Sequence, residues 1–118
     1  MEIGHEELSG GIVKINLSGR MDVAGSQQIN ERFAELIAAS KNAVIIDLSK
    51  VVFLASSGIR SLLVNAKTLS GRGGKMVLLN PDASVTKVLE MSGVDALIGV
   101  FHDLKAACSA LAGPSTKT

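Results

Sequence analysis

The order of apolar and polar residues divides the chain into short segments with two different periods. Residues 12–17 alternate, with Val13, Ile15 and Leu17 on one face and Lys14 and Asn16 on the other, which predicts a half-exposed strand. Residues 3–8 predict a shorter partner strand. Ser9-Gly10-Gly11 lies between the two as a turn, so the chain opens as a hairpin at a sheet edge. Ser18-Gly19-Arg20-Met21-Asp22 reads as a polar turn. From 24 to 39 the period becomes helical: Ile29, Phe33, Leu36 and Ile37 make an apolar stripe, while Glu31, Arg32 and Glu35 face water. Residues 43–48 are apolar on both faces, as expected of a strand at the centre of a sheet.

A short apolar hook at 51–54 then leads into the polar corner Ser56-Ser57-Gly58. Beyond it Ile59, Leu62, Leu63, Ala66 and Leu69 recur at helical spacing, so Ser56 or Ser57 is a natural N-cap, its hydroxyl accepting from a free first-turn N–H. Ser70-Gly71-Arg72-Gly73-Gly74 is a glycine-rich stop. Residues 75–80 predict a second buried strand. Pro81-Asp82 opens a third helix, with Val85, Val88 and Leu89 inward and Gly93 as its end. Residues 96–101 predict a last short strand broken at Gly99, and Asp103 caps a final helix striped by Leu104, Ala107, Cys108 and Leu111. The order β-β-α-β-α-β-α-β-α predicts an α/β domain over residues 1–112. Its mixed sheet has about five strands, mostly parallel, with about four helices and right-handed crossovers. Residues 113–118 are expected to form a disordered tail.

Composition removes several kinds of chemistry. The chain has 118 residues, 47% apolar but only 3% aromatic and without Trp or Tyr, which argues against base-stacking platforms and sugar clefts. A formal net charge of +1 gives no pull toward nucleic acid or a membrane surface. The polar, acidic start carries no signal peptide and no apolar run approaches a membrane span, so the chain reads as cytoplasmic with no direct membrane insertion. Cys108, alone and among alanines, reads as a small core residue.

Enzyme signals are equally poor. His5 and His102 read as surface residues, with no carboxylate or cysteine cluster to complete a metal set. Ser56-Ser57-Gly58 is not a Gly-x-Ser-x-Gly elbow. The glycines at 71–74 follow a helix and open a strand, the reverse of a phosphate loop. No activity, metal or cofactor is expected. Asp22 and Asp47 stand out among the scattered acids: Asp22 because loops after parallel strands gather on one edge, near Ser56, and Asp47 because it can satisfy the backbone that follows it. A serine at a helix start can also accept a phosphate without breaking the fold, since the added anion meets free N–H groups and a positive dipole end.

Three stretches resemble one family: Leu17-Ser18-Gly19-Arg20-Met21-Asp22, then the run from Ile45 through Asp47, Ser49, Phe53 and Ser56-Ser57-Gly58 to Ile59, then Ser84-Val85-Thr86-Lys87-Val88-Leu89-Glu90-Met91-Ser92-Gly93-Val94. In order and spacing they are similar to the bacterial anti-sigma factor antagonists, small stand-alone STAS domains. The resemblance implies a mixed sheet with helices stacked on one side. It also implies a partner-switching regulator that binds an anti-sigma factor, itself a serine kinase, and separates from it once phosphorylated, until a serine phosphatase restores binding. By position Ser56 would be the phosphoacceptor, with Ser57 as its neighbour and cap, and with Asp22 and Gly58 beside it. The partner surface would take in Arg20, Asp22, Ala55, Ser56, Ser57 and Arg60. Apart from the resemblance, the exposed helix face near Arg60, Asn65 and Lys67 is a candidate partner surface, with a solvated helix face as the more ordinary explanation. A weak homodimer is the remaining partner to test. Ala55 stands where many relatives carry Asp, and Arg20 where many carry Glu. Both remove negative charge near the acceptor, which implies a kinase with different local preferences. The alternative is a scaffold or subunit of a stress-signalling, secretion-control or lipid-transport complex, without a phosphoswitch.

Overall fold

The computed structural model describes residues 1–112; the expected tail at 113–118 lies outside them. Strands β1 (Glu2–Glu7) and β2 (Ile12–Met21) form the antiparallel hairpin, joined by a single 3-10 turn at Ser9–Gly11 in which Gly10 has φ 78°. β2, β3 (Ala43–Leu54), β4 (Lys75–Leu79) and β5 (Gly99–Phe101) then run parallel, and the sheet order is β1-β2-β3-β4-β5. Helices α1 (Val23–Ala39), α2 (Ser56–Ser70) and α3 (Ala83–Ser92) fill the crossovers, and α4 (Leu104–Ala112) follows β5.

Two strands run past their expected ends. Residues 18–21 are not a turn: they continue β2. The hook at 51–54 continues β3 alongside, so that Met21 pairs with Leu54. The ladder shifts register between Asn16 and Ser18 and again between Gly19 and Arg20. Such bulges break the two-residue alternation, which is why Leu48, Val51 and Leu54 are buried at three-residue spacing and the pattern failed to read as strand. At the other edge, the expected strand 96–101 shortens to β5. A 3-10 turn at Val94–Ala96 precedes it, set by Gly93 at φ 78°, and turns Val94 and Ile98 into the core.

The sheet is covered on both faces, not on one. Ile15, Leu17, Val44, Ile46 and Leu78 pack with Phe33 and Ile37 of α1, Leu62 and Leu69 of α2, and Val85 and Leu89 of α3. On the opposite face Ile12, Ile45, Val77 and Leu79 pack against Ala107 and Leu111 of α4, with Cys108 half-buried beside them. Alternation along β3 demands this, because Ile45 and Ile46 point to opposite faces and both are fully buried. With its 9 residues, α4 is too short to cover the whole second face. The uncovered part holds polar groups instead: Lys14 pairs with Glu6 at 3.0 Å and with Asp47 at 3.4 Å.

Caps fix the helix ends. Asp82 accepts from Val85 N–H and Asp103 from Ala106 N–H, as their positions predict. The carbonyl end of α1 is closed from a distance: the Arg72 guanidinium donates to Ile37 O at 2.6 Å, to Ser40 Oγ at 2.9 Å and to Asn42 Oδ1 at 2.7 Å. The glycine-rich stop after α2 therefore also pins α1.

Candidate functional site

Because Met21 and Leu54 are paired neighbours, β2 and β3 end together and α1 and α2 begin side by side. Ala55 N–H donates to Met21 O at 3.0 Å and seals the junction. Each helix carries a glycine at its third position, and contact requires both. A Cβ on Gly25 would stand 1.9 Å from Arg20 O; one on Gly58 would stand 2.7 Å from Leu54 Cδ1 and Met21 Cγ and 2.8 Å from Met21 O.

The two starts differ in how they are capped. Asp22 is the N-cap of α1, with Oδ1 accepting from Gly25 N–H at 2.8 Å. Ala55 is the N-cap of α2 and has no side chain to give. This corrects the expectation that Ser56 or Ser57 caps the helix. Ser56 and Ser57 already belong to the first turn, where their hydroxyls lie past the point from which a cap reaches back, and no side-chain cap bond is made. Ser56 is exposed, whereas Ser57 is half-buried with its Oγ shut away from water and without a hydrogen-bond partner.

Between the two starts lies a crevice of about 280 Å³, lined by Ser26, Asn30, Ser56, Ser57 and Arg60, with Val23 and Gln27 at its rim. Asp22 leaves the sheet beside Ala55, but its carboxylate serves its own helix. The Gly25 N–H first, and then the Arg20 guanidinium 3.5 Å away, hold it below the usual carboxylate range. Arg20 also lies over the ring of exposed Phe53, 4.3 Å from its centroid. Arg60 is exposed on α2 and makes no ion pair or hydrogen bond among the described residues. Lys67 is exposed, but Asn65 is not part of that face. It is 7% exposed and its Nδ2 donates to Ser61 O, because its position on the helix turns it inward with Ser61 and Leu62. Asp47 does satisfy the chain after it, accepting from Ser49 N–H at 2.9 Å. Burial pushes its carboxyl up, but the Ser49 bonds and Lys14 outweigh this and hold it below the usual range.

The residues that sequence reasoning missed are Gly25, Ser26 and Asn30. Asp22-x-x-Gly25 and Ala55-x-x-Gly58 share one spacing, a signal that was legible. Ser26 and Asn30 sit at i and i+4 of α1, and only the pairing of the strand ends brings them to Ser56. Among the described residues no group of His, Cys, Asp and Glu is placed to hold a metal ion, and no helix is long and apolar enough to cross a membrane.

This arrangement of sheet and helix starts has known counterparts. The chain matches the STAS domain over residues 7–107 and belongs to that family. It is 30% identical to an anti-sigma F factor antagonist of Lysinibacillus sphaericus over 70% of this chain and 71% of that one. It is also 24% identical to the anti-sigma-F factor antagonist RsfB of Mycobacterium tuberculosis, over 87% of this chain and 84% of that one. Among solved structures, the anti-sigma factor antagonist SpoIIAA in its unphosphorylated form superposes with a TM-score of 0.77, at 25% identity, over 95% of this chain and 97% of that chain.

Proposed function

We propose that this chain is a partner-switching regulator in the cytoplasm: it binds an anti-sigma factor that is also a serine kinase, and phosphorylation of Ser56 releases it. The observation that carries this reading is the state of Ser56, an exposed hydroxyl at the first position of a helix whose N-terminus has no side-chain cap. Support comes from the relatives, which are named for antagonising anti-sigma factors, one of them described in a form distinguished as unphosphorylated.

In the proposed transfer the Ser56 Oγ forms a bond to the terminal phosphorus of a nucleoside triphosphate held by the kinase. The bond to the leaving nucleoside diphosphate breaks, and the hydroxyl proton passes to a kinase base. A serine phosphatase reverses the state by hydrolysis, giving inorganic phosphate. The chain itself is substrate and binding surface, not catalyst.

The switch is electrostatic. A phosphoserine adds about −1.5 to −2 charges at neutral pH. In the free protein the start of α2 accepts that charge; inside a contact, an unpaired and desolvated charge costs on the order of 2–5 kcal/mol, or roughly thirty- to several-thousand-fold in affinity. Ser56→Ala and Ser56→Asp chains used as baits in extract of the native cell test the reading. A kinase-like protein retained by the Ala form and lost by the Asp form is the expected result. The same proteins on both baits would refute the switch and favour a scaffolding role.

A further inference from the structure

We propose that the crevice between the starts of α1 and α2 is a built receptor for the phosphoryl group of phosphorylated Ser56, with Arg60 of α2 and Ser26 and Asn30 of α1 closing on it from two sides. The inference rests on Ser56 being the acceptor and adds where the phosphate goes.

Three independent features converge there. First, the N–H groups of Ser56, Ser57 and Gly58 have no carbonyl four residues back within the helix, and Ala55 supplies no side-chain acceptor. Second, Ser26 is 3% exposed and lines the crevice, yet its Oγ has no hydrogen-bond partner, and the Oγ of Ser57 is in the same condition. Buried hydroxyls are almost always bonded, and here two unpaired ones belong to residues that line one crevice, each free to donate to an acceptor placed there. A phosphate offers three acceptor oxygens. Third, Arg60 is one helical turn beyond Ser56 on the same face, the i,i+4 spacing at which side chains meet. Arg20 is engaged with Asp22 and Phe53, Arg32 with Glu35, and Arg72 with the end of α1, while Arg60 has no such partner among the described residues. Its planar fork suits a phosphate.

Asn30 completes the set. Its Oδ1 accepts from Ser61 Oγ at 2.8 Å, which orients the amide and leaves the Nδ2 donors for the crevice. Each of these groups can donate: the Ser26 and Ser57 hydroxyls, the Asn30 amide nitrogen and the Arg60 guanidinium. The charged groups around them are Arg60 on α2 and, at the start of α1, the Asp22–Arg20 pair, whose carboxylate is already engaged. The unmodified protein thus holds donors in surplus, and phosphorylation supplies their acceptor. The phosphate folds back on its own protein, where it is shielded from phosphatases that do not dock on this surface.

The test installs phosphoserine at position 56 by codon suppression, so that it does not depend on which serine a kinase selects. Wild type, Ser26→Ala and Arg60→Ala chains are compared with and without the phosphate. Two readouts are the second ionisation of the phosphate, followed by phosphorus NMR, and the rate of its removal by a non-specific phosphatase. In the wild type the ionisation should fall below the usual value of about 6. Both substitutions should bring it back toward that value and speed removal by roughly 3- to 10-fold, the scale of one lost charge-assisted hydrogen bond. Ser26→Ala separates contact from mere charge: it removes a neutral hydroxyl and should leave the unphosphorylated chain as stable as before or more so. Equal ionisation and equal removal rates in all three phosphorylated chains would overturn the receptor while leaving Ser56 as an acceptor. A phosphate mapped elsewhere in the cell would instead overturn the acceptor assignment and leave these measurements standing.

Discussion

The starts of α1 and α2 are nearly the same piece of backbone put to different uses. Both N-caps are extended, Asp22 at φ −96° and ψ −166° and Ala55 at φ −99° and ψ 174°. Both helices place glycine at the third position against the paired strand ends. The difference is one carboxylate. At α1 it is present and satisfies the turn; at α2 it is absent, and two serines and an arginine surround an unsatisfied set of donors. One start is closed from within by its own carboxylate, and the other has no side-chain cap. In this chain no cap carboxylate stands beside the serine proposed to take the phosphate.

The glycines give the largest expected effects. Gly25→Ala should destabilise by about 3 kcal/mol or more, because the clash is with the Arg20 carbonyl, which cannot move without breaking the strand end. Gly58→Ala should cost less, about 1–3 kcal/mol, since two of its three neighbours are side-chain atoms that can shift. The gain from replacing a helical glycine, about 1 kcal/mol, does not offset either clash. Urea unfolding of the two variants measures both, and an order with Gly58→Ala the more damaging would break the comparison.

Giving α2 the cap of α1 is the next test. Ala55→Asp meets backbone already in cap geometry, so it should stabilise the chain by roughly 0.5–1 kcal/mol. It should also weaken the hold on a phosphate at Ser56, because its carboxylate takes N–H groups the phosphate needs. A loss of stability, read from the same urea midpoint, would mean that the dihedral match is misleading.

The smallest effect is in acid. The Gly25 N–H and then Arg20 lower the Asp22 carboxyl in the folded chain. Its contribution to stability is therefore complete above the unfolded value of about 3.9 and is lost as pH falls through the lower folded value. Asp22→Asn keeps a capping oxygen without the charge and should flatten the fall in stability between about pH 5 and 2. Ala55→Asp should steepen it. Thermal unfolding across that range measures both slopes.

Legibility in the sequence followed locality. The buried strand at 43–48, the stripe of α2, and α3 between Asp82 and Gly93 were legible because period and capping are written in neighbouring residues. The ends of β2 and β3 were not, since bulges hide the alternation and the pairing of Met21 with Leu54 joins residues far apart in the chain. The same pairing brings α1 to Ser56, so Ser26 and Asn30 could not be found from the Ser56 corner alone. The position of α4 on the opposite face and the grip of Arg72 on the end of α1 are also set by distant contacts. Ser57 misled for another reason. A serine before a helical stripe usually caps, but Ala55, two residues earlier, is where the backbone turns helical.

The most direct measurement is the affinity of the purified partner for the chain carrying serine at position 56 against the chain carrying phosphoserine there. A weakening of roughly thirty- to several-thousand-fold is expected, with the phosphorylated chain still folded. Equal affinities for the two forms would contradict a switch at Ser56.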